Sequence, residues 1–310
     1  MKILITGGCG YLGSVMVPRL LADGHSVTVL DNLSRGGAGL LPVCGHPNFE
    51  FVRGQCFDFG TLDPLVEKAD AIIPLAGIVG LAACDRDPNN AMRVNADAIY
   101  NLLAARSKDQ LVLYPMTNSG YGRTAPGTIC DEDTPLEPVS VYGRSKKIGE
   151  AEVLSKPNTV SFRLATVFGV SPAMRWDLLV NDFTRRAVQD RAIVLFEGHA
   201  RRNYVHVQDV ADCFAWAIGH AGWEPTNYLL GKPWNLGNDS ANCTKRQLAN
   251  IVKSTLSGEI CTLEPPNSGW QDPDKRDYEV SSARLKAAGF EAKRSLEDGI
   301  REVAKAVALL

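Results

Sequence analysis

Residues 3–13, ILITGGCGYLG, constrain this chain more than any other stretch. A short apolar strand runs into Gly7, Gly10 and Gly13, and a helical pattern opens directly behind them. Gly7 suits a tight turn, Gly10 lets the backbone approach a phosphate, and Gly13 lets the helix pack closely on the strand. The amides around Tyr11 and Leu12, at the helix start, then face an anion. The chain has 28 glycines, so the triplet counts only in its context. That context continues with VTVLDN, where Asp31 ends a second strand and an acid accepts the ribose hydroxyls of an adenosine. The pattern predicts a dinucleotide pyrophosphate site, and the acid predicts NAD, because a 2′-phosphate would be repelled there.

The bulk properties leave room for such a site and exclude several alternatives. With 310 residues, 45% of them hydrophobic, the chain can bury a full core as one large domain or two intimate ones. A net charge of −2 without long runs of either sign gives no basis for nucleic acid or a membrane surface as partner. No apolar run approaches a bilayer span, and ILIT meets the glycine turn too soon to be a secretory signal. The 8 cysteines include no CxxC and no histidine at ligand spacing, so reduced thiols in the cytoplasm and no metal are expected.

Apolar runs KILIT, SVTVLDN, FEFVRG, AIIPLAG, QLVLYPMT and VSFRLATVFG alternate with helical stretches. Among the latter are SVMVPRLLADG, stopped at Gly24, and AMRVNADAIYNLLAARS. Strands separated by helices predict an α/β fold, a Rossmann-type doubly wound parallel sheet whose ligands sit beyond the carboxyl ends of its strands. The residues to read there are Gly7, Asp31, Gly77, Thr117 and Thr166. Past residue 170 the composition turns rich in Pro, Gly, Trp and Asn, which predicts a smaller, interleaved substrate-binding lobe. Residues 1–170 are thus expected to form the dinucleotide-binding domain and 171–310 mainly the substrate lobe. RNYVHVQDVADCFAWAI is read as a strand and helix returning to the first domain and PWNLG as one more strand, a return near residues 203–237.

Tyr142 and Lys146 stand four apart in a helical stretch, VSVYGRSKKIGEAEVL, so both project from one face. A tyrosine is a poor base near its ordinary pKa of about 10. A neighbouring ammonium favours its phenolate, which could then take a proton from a substrate hydroxyl. Thr117 closes the strand before this helix and could hydrogen-bond the reacting oxygen.

Together these residues resemble the extended short-chain dehydrogenase/reductases that act on nucleotide sugars, the NAD-dependent epimerase/dehydratases. The resemblance spans nearly the whole chain through TGGCGYLG, LDN, LAG at 75–77, VN at 94–95, YGRSK, RLATVFG, RNYVHVQDV and SLEDGI. It implies a nucleoside-diphosphate sugar held between two lobes and a homodimer. It also implies NAD contacts from Gly7, Gly10, Gly13, Asp31, Asn32, Ala76, Gly77, Asn95, Tyr142 and Lys146, with Gln55 near the adenine. Thr117, Tyr142 and Lys146 resemble the catalytic set. Arg202 matches an arginine used on the sugar diphosphate, and Asn118, Ser119, Thr166, Asn181 and Arg276 are further candidates for the substrate.

The departures concern the substrate. Relatives that remove water carry an Asp-Glu pair after the threonine, where this chain has Asn118-Ser119. Gln55 replaces an acid at the adenine, Thr166 replaces an asparagine, and Val79 lacks an amine seen in galactose epimerases. TNSGYG, LLVNDF, RRNYVHVQDV and DPDKRDY look similar to bacterial enzymes that modify surface-polysaccharide sugars, including GDP-heptose 4-dehydrogenases. The expected activity is NAD-dependent oxidation at C4, ending as an epimerisation, as a released keto sugar, or, run in reverse, as a reduction. A non-catalytic dinucleotide sensor is a poorer match, because Tyr142 and Lys146 are both present.

Overall fold

The computed structural model describes residues 1–125, 127–220, 226–264 and 277–309. In chain order the strands are β1 (Lys2–Thr6), β2 (Ser26–Asp31), β3 (Phe49–Arg53), β4 (Ala71–Pro74), β5 (Leu111–Thr117), β6 (Ile129–Cys130), β7 (Thr159–Leu164), β8 (Thr166–Phe168), β9 (Ala192–Val194), β10 (Arg201–His206), β11 (Lys232–Leu236), β12 (Asn238–Thr244), β13 (Cys261–Leu263) and β14 (Glu279–Val280). The helices are α1 (Gly13–Ala22), α2 (Phe59–Val66), α3 (Leu81–Arg86), α4 (Pro88–Met92), α5 (Ala98–Ala105), α6 (Val141–Leu154), α7 (Leu179–Gln189), α8 (Val207–His220), α9 (Lys245–Leu256), α10 (Ala283–Ala287) and α11 (Leu296–Ala308).

Seven strands form an all-parallel sheet in the order β11-β7-β5-β4-β1-β2-β3. Both of its faces are covered, so β4 and β5 are buried almost end to end and read as unbroken apolar runs. Alternation along β1 separates the two layers: Ile3 and Ile5 pack with Met16, Leu20 and Phe214 from α1 and α8. Leu4 faces the other way, with Leu62, Ile99, Leu102 and Val153 from α2, α5 and α6. Winding reverses between β1 and β4, and the crevice of such a sheet opens at that point.

A second sheet, β12-β10-β8, is covered by α7, α9 and α11 through Phe183, Leu248, Val252 and Ile300. Two readings of the sequence change here. VSFRLATVFG is not one strand. Its first part, β7, lies in the large sheet, and after Ala165 the chain continues as β8 alongside β10. Nothing in composition marks this break, because the run stays largely apolar while the partner changes. The RNYVHV strand, β10, is likewise the centre of the second sheet rather than a strand returning to the first, although α8 behind it does pack on α1. PWNLG does join the large sheet, as edge strand β11.

The helical run expected across residues 91–107 also carries an irregularity. A π-helical turn over Arg93–Asp97 separates α4 from α5. Such turns interrupt the regular ladder and re-aim a side chain. Here the side chain is Asn95, turned toward the segment after β4. Among the described residues no helix is long and apolar enough to cross a membrane, and no group of three or more His, Cys, Asp or Glu side chains could hold a metal ion.

Candidate active site

The carboxyl ends of the large sheet open onto a cavity of about 710 Å³. One end is the glycine turn. Gly7 has φ +73°, and a Cβ there would lie 2.5 Å from the Ala76 backbone nitrogen. A Cβ on Gly13 would lie 2.3 Å from the Gly8 carbonyl oxygen, so only glycine permits the helix to approach so closely. On Gly10 a Cβ would meet only the Gly7 oxygen, at 3.3 Å, and would otherwise intrude on cavity space. Leu12 precedes helix α1 and no side chain caps the helix start; the Ser14 and Val15 amides donate to the Gly10 and Leu12 carbonyls, which leaves those of Tyr11, Leu12 and Gly13 unpaired among the described residues. Those amides suit an anion.

Asp31 is buried at the end of β2, where its carboxylate accepts hydrogen bonds from the Cys9 amide (2.9 Å) and the Leu33 amide (2.8 Å). A carboxylate has about four acceptor positions, so the fixed group keeps capacity for two hydroxyls. Asn32 donates to Gln55 Oε1 at 3.0 Å, which orients that amide at the cavity wall and occupies part of its acceptor capacity. The nearby Cys56 thiol is pushed up to about 11, chiefly by burial, and is no nucleophile. Glycine turn, uncapped helix and fixed acid fit NAD.

Thr117, Tyr142 and Lys146 line the middle of the same cavity. Thr117 ends β5, and its hydroxyl accepts from the Ser119 amide at 3.2 Å, which fixes the strand end. Tyr142 lies in the first turn of α6, started by the Ser140 side chain accepting from the Gly143 amide at 3.1 Å. Behind it, Glu150 of α6 binds Arg163 of β7 through both carboxylate oxygens, at 3.0 and 2.9 Å, and holds the helix against the sheet.

Lys146 is buried with its Nζ 4.1 Å from the centre of the Tyr114 ring. Burial lowers its pKa to about 7, while the Glu150 carboxylate pulls the other way. In the unfolded chain it holds its proton up to about its ordinary value of 10.5, so between pH 7 and that value unfolding takes up a proton. Lys146 therefore makes the ligand-free protein more stable as pH rises through this window, by at most about 1.4 kcal/mol per unit. Urea midpoints at several pH values should show a steeper rise for wild type than for Lys146→Met. Equal slopes would mean that the ammonium is solvated.

Several expected positions stand elsewhere. Asn181 does not reach the cavity: it is fully buried, accepts from the Gly169 amide at 3.0 Å and donates to the Arg175 carbonyl at 3.0 Å, so it shapes the loop before α7. Asn95 is a support rather than a wall residue. Its side chain bridges the Ile78 amide (2.8 Å), the Ile78 carbonyl (2.9 Å) and Ser145 (3.1 Å). Asn118 is in the wall, yet its carboxamide is shut off from solvent with no hydrogen-bond partner at either atom among the described residues. Ala76, Gly77, Ser119, Thr166 and Arg202 line the cavity, and Arg276 lies outside the described residues.

Three cations were missed, Arg35 at the cavity edge after β2 and two others. Arg175 lines the cavity, pairs with Asp177 at 3.0 Å, and is close enough for its charge to couple to Tyr142. Lys245 lines it from the start of α9. Arg175 sits in an irregular loop with no readable pattern. The start of α9 was readable, since Thr244 and Gln247 form a capping box.

Residues 3–231 match the sequence profile of the NAD dependent epimerase/dehydratase family. The chain belongs to that family. Among its relatives, a UDP-glucose 4-epimerase of Mycolicibacterium smegmatis is 29% identical over 97% of this chain and 96% of its own length. A dTDP-glucose 4,6-dehydratase of Streptomyces niveus is 27% identical, over 97% of this chain and 91% of its own. The solved UDP-glucuronic acid 4-epimerase of Bacillus cereus, in complex with UDP-glucuronic acid and NAD, superposes with a TM-score of 0.86 at 19% identity, covering 100% of this chain and 99% of that one. This family member is Rossmann-like, and NAD is the family's cofactor.

Proposed function

We propose that this family member oxidises C4 of a nucleoside-diphosphate sugar and, after the keto sugar turns over in the site, reduces it again as a 4-epimerase. The observation that supports this most is that Thr117, Tyr142 and Lys146 share one cavity with the glycine turn and Asp31 on one side and Arg202 on the other. NAD, when bound, supplies the hydride acceptor. Tyr142, as phenolate, takes the proton of the C4 hydroxyl and later returns it. The Thr117 hydroxyl orients the reacting oxygen, and Lys146, in its ammonium form, favours the phenolate while holding the nicotinamide ribose. Asn118 and Ser119 carry no carboxylate, so the reading excludes dehydration by an acid pair at this position.

The roles of Gly7, Gly10, Gly13, Asp31, Asn32 and Gln55 in this reading are cofactor contacts, and those of Thr166 and Arg202 are substrate contacts. It assigns residues 1–170 chiefly to the cofactor and 171–310 chiefly to the sugar nucleotide, in a cytoplasmic enzyme of surface-polysaccharide synthesis. A homodimer is part of the reading, since α5 and α6 expose Tyr100 and Ile148 on one flank.

Release of the keto sugar is the second reading, and the same residues serve it. Purified protein should be scanned near 340 nm before and after UDP-, GDP-, CDP- and dTDP-sugars, with products weighed by mass spectrometry. Unchanged mass with a new isomer is the expected result. A lasting rise in absorbance with a product two hydrogens lighter would replace the epimerase by a dehydrogenase.

A further inference from the structure

The end of the cavity opposite the glycine turn is built by the pairing of β10 with β12. Arg202 lies across from Cys243, and the Lys245 amide donates to the Ala200 carbonyl at 3.0 Å. This antiparallel register puts Lys245 on the same face as Arg202, diagonal neighbours about 7–8 Å apart along the backbone. Both side chains are buried and both line the cavity. Leu178 and Leu179 also line the cavity, where α7 starts with no side chain capping its amides.

Lys245 is a costly residue for the fold at this place. It occupies the first position of α9, where the helix dipole repels a cation, and its ammonium is withdrawn from water. Its ammonium lies 3.3 Å from the Phe196 carbonyl and 3.5 Å from the Glu197 carboxylate. Glu197 itself holds a left-handed backbone, φ 48°, in the turn between β9 and β10. A buried cation aligned with a second one over a cavity has a rationale if an anion with two charged centres lies between them.

We propose that Lys245 is a second cation for the substrate's diphosphate, exchanging Glu197 for a phosphate oxygen when the nucleotide enters. This rests on the nucleotide-sugar reading above. Arg202 then grips one phosphate and Lys245 the other, while Glu197 stands as the resting counter-ion that the diphosphate displaces. Two variants consequently act in opposite directions, which a merely structural ion pair does not do.

The test is titration calorimetry of the full chain with UDP, GDP, CDP and dTDP, followed with the tightest of the four. Lys245→Met should weaken binding about tenfold, the loss of one charge-assisted contact, and Lys245→Arg should stay within about threefold of wild type. Glu197→Gln should tighten binding by about threefold, because the competing carboxylate is gone. Unchanged affinity in Lys245→Met, or weakening in Glu197→Gln, overturns the assignment while leaving the nucleotide-sugar reading intact. Failure of wild type to bind any of the four overturns both.

Discussion

Tyr142→Phe should lose about a thousandfold in kcat on whichever nucleotide sugar the wild type converts, while binding of NAD and the fold stay intact. The size follows from removing a positioned acid-base group, which contributes about 10²–10⁴-fold. The ring survives the change, and Tyr142 is half-buried in the first turn of α6, where that turn is fixed by Ser140 and the body of the helix by Glu150 on Arg163. Loss of turnover would therefore trace to the hydroxyl. The comparison needs initial rates, a thermal scan and an NAD titration on the same preparations. Retention of more than about a tenth of the rate would remove Tyr142 from proton transfer.

Gly7→Ala should be severely damaging for the addition of a single methyl. The new Cβ would sit 2.5 Å from the Ala76 nitrogen and 2.6 Å from its Cα, and the backbone there is left-handed at φ +73°. Neither obstacle is a side chain that can swing away. The turn must open or the segment after β4 must retreat, at a cost of about 2–4 kcal/mol. The same displacement pulls apart Gly10 and Ala76, two walls of the cofactor end. We expect NAD affinity to fall at least about a hundredfold and Tm by several degrees. Wild-type values for both would show that the turn relaxes without touching the cofactor end.

Much of this site was readable because its geometry is local. Tyr142 and Lys146 share a face through helical spacing alone, and the glycine turn joins a strand to the helix that follows it. Thr117 and Asp31 could be placed because each ends a strand of the large sheet, and strand ends of such sheets face ligands. Elsewhere residue type misled. Asn181 and Asn95 have the chemistry of ligand contacts, but hydrogen bonds to Gly169 and Ile78 hold them behind the cavity lining. Lys245 went unseen for the opposite reason: its side chain reaches the cavity only through the register of β12 on β10, a long-range pairing that no window of sequence displays. The split of VSFRLATVFG belongs to the same class, since a strand that changes sheets keeps its apolar pattern.

That split bears on how an enzyme like this can be re-engineered. Leu164 pairs in the large sheet and Thr166 in the other, with only Ala165 between them, and Leu236 and Asn238 cross back over a single glycine. The two halves are stitched together by joints one residue long, so neither is a cassette to be excised, expressed alone or grafted onto a relative. New sugar preferences in such a scaffold must come from substituting residues within the joined frame, and a chimaera cut near residue 170 should fail to fold.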